Sequence, residues 1–161
     1  MKLTKLAQAI SAAALLTASA SSAMADAAPS EKIRLFYDSF VKNDPALLDQ
    51  VLAPDWVDIP PNPGQAPGRE AFKPYVANAN QTFTDMKMTN EDIITSGNKV
   101  VVRSTFEATQ TGAFAGFPAK NRPIKIMTID IHEFNKDGLV SKTWHLEDWL
   151  GGLFQMGAFE K

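Results

Sequence analysis

Residues 122–157 read RPIKIMTIDIHEFNKDGLVSKTWHLEDWLGGLFQMG, and their periodicity decides the fold. Two runs rich in Ile, Val, Thr and Trp flank Lys136-Asp137-Gly138. An Asp-Gly pair between alternating apolar runs is the strongest short-range hairpin signal, so this stretch predicts a long antiparallel hairpin. Alternation along the first arm puts Ile124, Ile126, Thr128, Asp130, His132 and Phe134 on one face. That face is apolar at both ends and holds a carboxylate and an imidazole in the middle, where unpaired charge is costly. On the second arm Trp144, Leu146 and Asp148 share one face, and Thr143, His145 and Glu147 the other. Both histidines of the protein lie in this hairpin, which makes it the place to look for acid-base chemistry.

Working outward, the chain starts with Lys2 and Lys5, passes through an Ala- and Leu-rich run, and reaches Ala23-Met24-Ala25 before Asp26. A charged start, an apolar run and an A-x-A site predict a secretory signal peptide over 1–25, cut after Ala25, and a periplasmic or secreted domain over 26–161. The run is too short and too rich in Ser and Thr for a membrane anchor, and no membrane partner is expected. The absence of Cys excludes disulfides and Cys-based zinc sites. A formal charge of −2 without a Lys/Arg block argues against a nucleic-acid surface.

Ahead of the hairpin, Ser30 is placed to cap a helix whose Ile33, Phe36, Tyr37 and Phe40 recur at the spacing of one buried stripe. Asp44 and Pro45 start a second helix carrying Leu47, Leu48, Val51 and Leu52. A brief strand over 54–59 holds Trp56, a Pro/Gly loop follows, and residues 69–81 predict a third helix that tolerates Pro74 near its first turn. From Thr84 the period becomes two, with a strand pair across Gly97-Asn98. Helices first and hairpin-connected strands after them predict an α+β domain, an antiparallel sheet curling over the helices.

Several segments, in order, resemble the SnoaL-like polyketide cyclases, or ester cyclases, of the nuclear transport factor 2-like superfamily. These are Trp56-Val57-Asp58, Gly68-Arg69-Glu70-Ala71-Phe72, Phe83-Thr84-Asp85-Met86 and Gly97 to Arg103. Further on come Thr109 to Pro118, then Trp144 with Asp148, Gly152-Leu153 and Gln155-Met156-Gly157. The resemblance implies a cone-shaped curved antiparallel sheet packed on N-terminal helices, with a pocket at the wide end and a homodimer through the outer sheet face. It implies a cofactor-independent acid-base enzyme that closes a ring by intramolecular aldol condensation or a related isomerisation, with an Asp of the last strand carrying the proton. Asp148 matches that Asp by its spacing from Trp144, and His132 lies where some members carry a pocket His. Ile59 and Gln110 stand where the family often has His, which motivates an alternative: a non-catalytic binding protein for a small hydrophobic molecule.

The candidate catalytic residues are therefore Asp148, His132 and Asp130. Desolvation would raise the Asp148 pKa and make it a better base, and Asp130 can fix the His132 tautomer. The candidate substrate-binding residues are Trp56, Trp144, Tyr37 and Phe106 as walls, Gln110 as a donor to a carbonyl or enolate oxygen, and His145. The histidines and carboxylates together suggest zinc or iron, but strand parity separates His145 from Asp148, so no metal site is assigned.

Overall fold

The computed structural model describes residues 29–160; the signal peptide expected over 1–25, with its cut after Ala25, lies outside the described residues. Helix α1 (Arg34–Val41) buries Phe36 and Tyr37 on the expected stripe, with Ile33 just ahead of it. Asp44 then accepts from the Ala46 N–H at 3.0 Å, capping a 3-10 turn (Pro45–Leu47) that runs into the short helix α2 (Leu48–Val51). Strand β1 (Leu52–Ile59) leads through the Pro/Gly loop to helix α3 (Arg69–Asn78), which carries Pro74 and ends in a 3-10 turn (Ala79–Gln81). Strands β2 (Phe83–Ser96) and β3 (Lys99–Gln110) turn at Gly97, whose φ of 59° favours a residue without Cβ. Strands β4 (Arg122–Phe134) and β5 (Val140–Glu147) form the long hairpin, and helix α4 (Trp149–Met156) closes the chain.

The five strands form one sheet in the order β1-β5-β4-β3-β2. It is antiparallel except at one edge, where β1 runs parallel to β5. A parallel neighbour needs a long connection, and the rest of the sheet separates these two strands in sequence. Register shifts interrupt the ladders in β2 and between β4 and β5; each such bulge adds local twist and bends the sheet.

The inward face of β4 alternates without a break, and its two apolar ends join different cores. Phe134 packs with α1, α2, β1 and α3, whereas Ile124 and Ile126 pack with Phe83, Phe106 and Met156. Thr128, Asp130 and His132 lie between these two clusters. On the outer face Met127, Ile129 and Leu146 remain exposed.

Candidate active site

One irregularity determines which side chains of β5 reach the interior. Phe134 faces Val140, but His132 faces Thr143 and Asp130 faces His145, so β5 holds one extra residue between Val140 and Thr143. A one-residue change of register exchanges the two faces of a strand. Thr143, His145 and Glu147 therefore point to the side of Asp130, whereas Trp144 lies on the outer face with Lys99 Nζ 5.0 Å from its ring centre.

Between the two cores and the helices opens a cavity of about 660 Å³, within the range of small-molecule sites. Its walls are largely aromatic, with Phe40, Phe72, Phe83, Phe106, Phe114 and Trp149 among them. Phe114 and Trp149 have ring centres 4.6 Å apart, and Phe83 stacks on Trp149 at 5.8 Å. The carboxylates and the imidazole enter from the sheet, Asp58 from β1, Asp130 from β4, and His145 and Glu147 from β5, with Tyr37 of α1, Thr128 and Thr143 beside them; Asn62, Asn78 and Thr82 add uncharged polar groups elsewhere on the lining.

Asp130 is 5% exposed, and its Oδ2 accepts from the Tyr37 hydroxyl at 3.0 Å. Burial raises its pKa from 3.8 to about 7; the Tyr37 hydrogen bond and the His145 charge oppose the rise, while Glu147 and Asp58 add to it. A carboxyl poised near neutrality can both take and return a proton at working pH. Tyr37 also lies 3.0 Å from His132 Nε2, and His132 Nδ1 lies 3.0 Å from Thr143 Oγ1. Burial lowers the His132 pKa to about 3, with the His145 charge adding to the effect, so this ring is neutral at working pH. Burial also raises the Tyr37 pKa well above 10, with Asp130 contributing, and the phenol keeps its proton.

His145 has the opposite character. Its Nδ1 lies 2.8 Å from Glu147 Oε1, and its Nε2 lies 3.2 Å from Asp58 Oδ1 and 2.9 Å from the Pro60 carbonyl. Hydrogen bonds to Asp58 and Glu147 raise its pKa to about 10, so it is a fixed imidazolium and not a base.

Tyr37, Phe106, Asp130 and His145 thus meet at the cavity. His132 and Trp56 do not reach its wall: both are buried behind it, the Trp56 indole donating to Thr143 Oγ1 at 3.0 Å. Two expectations are corrected by the extra residue in β5. Trp144 is turned to the outer face, and Asp148 follows the end of the strand, where it accepts from the Gly151 N–H at 2.9 Å as the N-cap of α4. Gln110 is corrected as well: its amide donates to the Gly112 and Pro118 carbonyls at 3.0 and 3.4 Å, and it lies off the cavity wall. Asp148→Ala is expected to lower stability by about 1 kcal/mol, the usual loss of an Asp cap, and to leave activity within twofold, as read by urea unfolding and turnover.

Asp58, Glu147, Thr128 and Trp149 had not been singled out. Two of them share parity with residues that were: Asp58 is two positions from the core residue Trp56, and Glu147 two from His145.

Residues 31–156 match the family model for the SnoaL-like polyketide cyclases. Among solved structures, TsrD from Streptomyces laurentii is 32% identical with a TM-score of 0.76, covering 82% of this chain and 96% of its own. IdmH from Streptomyces antibioticus, a proposed polyketide cyclase, is 29% identical with a TM-score of 0.68, over 80% of this chain and 98% of its own. A proposed polyketide cyclase from Bacillus cereus is 26% identical with a TM-score of 0.67, over 79% and 78% of the two chains. Comparison with curated proteins found no match.

Proposed function

Since the chain belongs to the SnoaL-like polyketide cyclase family, we propose that it is a cofactor-independent acid-base enzyme acting on an apolar carbonyl compound, with Asp130 as the proton carrier. The observation behind this reading is a buried carboxyl, its pKa raised to about 7, on the wall of a cavity that is largely apolar and rich in aromatic rings. Asp130 takes the proton from a carbon next to a carbonyl, leaving an enolate. The enolate carbon attacks a second carbonyl of the same molecule, one carbon–carbon bond forms, and the resulting alkoxide recovers the proton from Asp130. The cycle is redox-neutral and regenerates the carboxylate.

Two neighbours suit the negative charge that develops. Thr128 lines the cavity and its hydroxyl has no partner among the described residues, so rotation about one bond makes it a donor for a substrate oxygen. The His145 imidazolium supplies a fixed positive charge on the same wall. The aromatic walls hold a flat apolar chain folded, which shortens the encounter between its reacting carbons. A pure ligand carrier has no use for a carboxyl tuned to neutrality, so the catalytic reading is preferred.

The test uses 2-tetralone in D₂O, an apolar ketone with acidic α-protons. Deuterium uptake followed by proton NMR is expected to exceed the buffer rate and to rise with pH to a plateau, with its midpoint near 7. Uptake equal to the buffer rate, or a profile without that midpoint, counts against the proposal.

A further inference from the structure

Behind the cavity wall five side chains form a single file of hydrogen bonds. Trp56 Nε1 is 3.0 Å from Thr143 Oγ1, Thr143 Oγ1 is 3.0 Å from His132 Nδ1, His132 Nε2 is 3.0 Å from Tyr37 Oη, and Tyr37 Oη is 3.0 Å from Asp130 Oδ2. All five residues are buried. Heavy-atom distances leave the direction of such a file open; counting hydrogens settles it.

An indole N–H only donates, so Thr143 Oγ1 accepts from Trp56. The Thr143 hydroxyl must then place its own hydrogen, and among the described residues the acceptor in reach is His132 Nδ1. A neutral imidazole that accepts at Nδ1 carries its hydrogen at Nε2 and donates there. It donates to Tyr37, and the phenol hydrogen goes to Asp130 Oδ2. Reversing the file leaves the Thr143 hydrogen buried without an acceptor and deprives the Asp130 carboxylate of its donor, which native interiors avoid.

We propose that Trp56 is a positioning residue: its indole N–H holds His132 as the Nε2–H tautomer and, through Tyr37, confines the mobile proton of Asp130 to Oδ1, the oxygen that no hydrogen bond reaches among the described residues. With Oδ2 held as an acceptor, a proton gained from substrate stays on the oxygen left free of protein donors and is not handed back to Tyr37. The charged and titratable groups that face Asp130 otherwise are Glu147 and His145 from β5 and Asp58 from β1, and none of these is part of the file. The catalytic consequence rests on Asp130 being the proton carrier; the tautomer does not.

The test is a long-range ¹H–¹⁵N correlation spectrum of the uniformly labelled full chain between pH 6 and 8. His132 is expected wholly as the Nε2–H form, and an Nδ1–H signal in the wild type overturns the proposal without recourse to any variant. Trp56→Phe keeps a ring in the core but removes the N–H; a mixture of tautomers is expected, with the Asp130 midpoint raised by about one pH unit because Tyr37 no longer donates full time. Thr143→Ser retains the hydroxyl and is expected to keep the wild-type tautomer. An unchanged tautomer and midpoint in folded Trp56→Phe also overturns the proposal. Absence of turnover on 2-tetralone alongside the Nε2–H form rejects the acid-base reading but supports the directed file.

Discussion

Asp130→Asn is expected to lower α-proton exchange by about a thousandfold, the usual reach of a positioned acid-base group, while raising the melting temperature at pH 8. The amide has the shape of the carboxyl and still accepts from Tyr37, but it cannot take a proton. The stability gain follows from linkage. The Asp130 pKa is 3.8 in its ordinary state and about 7 when folded, so the folded state binds this proton more tightly than the unfolded one. Its contribution to stability is fully present below 3.8, declines as pH rises, and is gone above 7. Over that window the wild type loses on the order of 4 kcal/mol at 1.36 kcal/mol per pH unit. Asn has no charge to bury, so the variant should melt roughly 10–20 °C higher at pH 8 and show no advantage at pH 3. Opposite changes in activity and stability are the mark of a group kept for chemistry at the expense of the fold. Calorimetry at the two pH values, together with the exchange assay, measures both.

His145→Gln should act in the other direction. The imidazolium sits between Asp58, whose side chain is 5% exposed, and Glu147, at 24%. Removing one member of a buried ion cluster leaves uncompensated charge, and a loss of about 3 kcal/mol is expected. The sign with pH is set by a folded pKa of about 10 against 6.5 for a free His: the stabilisation is complete below 6.5, declines as pH rises and is gone above 10. At pH 7, then, the variant should unfold at a lower urea concentration than the wild type, and the difference should shrink as pH rises toward 10. The same cation lowers the Asp130 pKa, so the exchange profile of His145→Gln should move to higher pH by about one unit. An unmoved profile would mean that the two groups do not sense one another.

The inward face of β4 was legible because strict alternation from Ile124 to Phe134 leaves one way to place Asp130 and His132. The stripe on α1 was legible for a similar reason, Phe36 and Tyr37 following Ile33, and Phe40 following both, at steps of three and four. What failed was the second arm. A single extra residue between Val140 and Thr143 carries no signal in apolar periodicity, yet it turns Trp144 outward and brings His145 and Glu147 in. Asp148 illustrates the same limit: its spacing from Trp144 matched the family pattern, but Gly151, without a Cβ to block the approach, lets the carboxylate reach its N–H and cap α4. Asp58 depended on a long-range fact, the parallel pairing of β1 with β5, which aligns Asp58 with Thr143. The Asp130 pKa depends on enclosure by α1, β1 and β5 together, and no local stretch encodes that.

The central claim is a carboxyl on the cavity wall that titrates near neutrality. Carbon-13 NMR of the Asp130 side-chain carboxyl, assigned by its disappearance in Asp130→Asn, follows that titration directly. A midpoint near 7 is predicted. A midpoint near 4, the value of a free Asp, would contradict it.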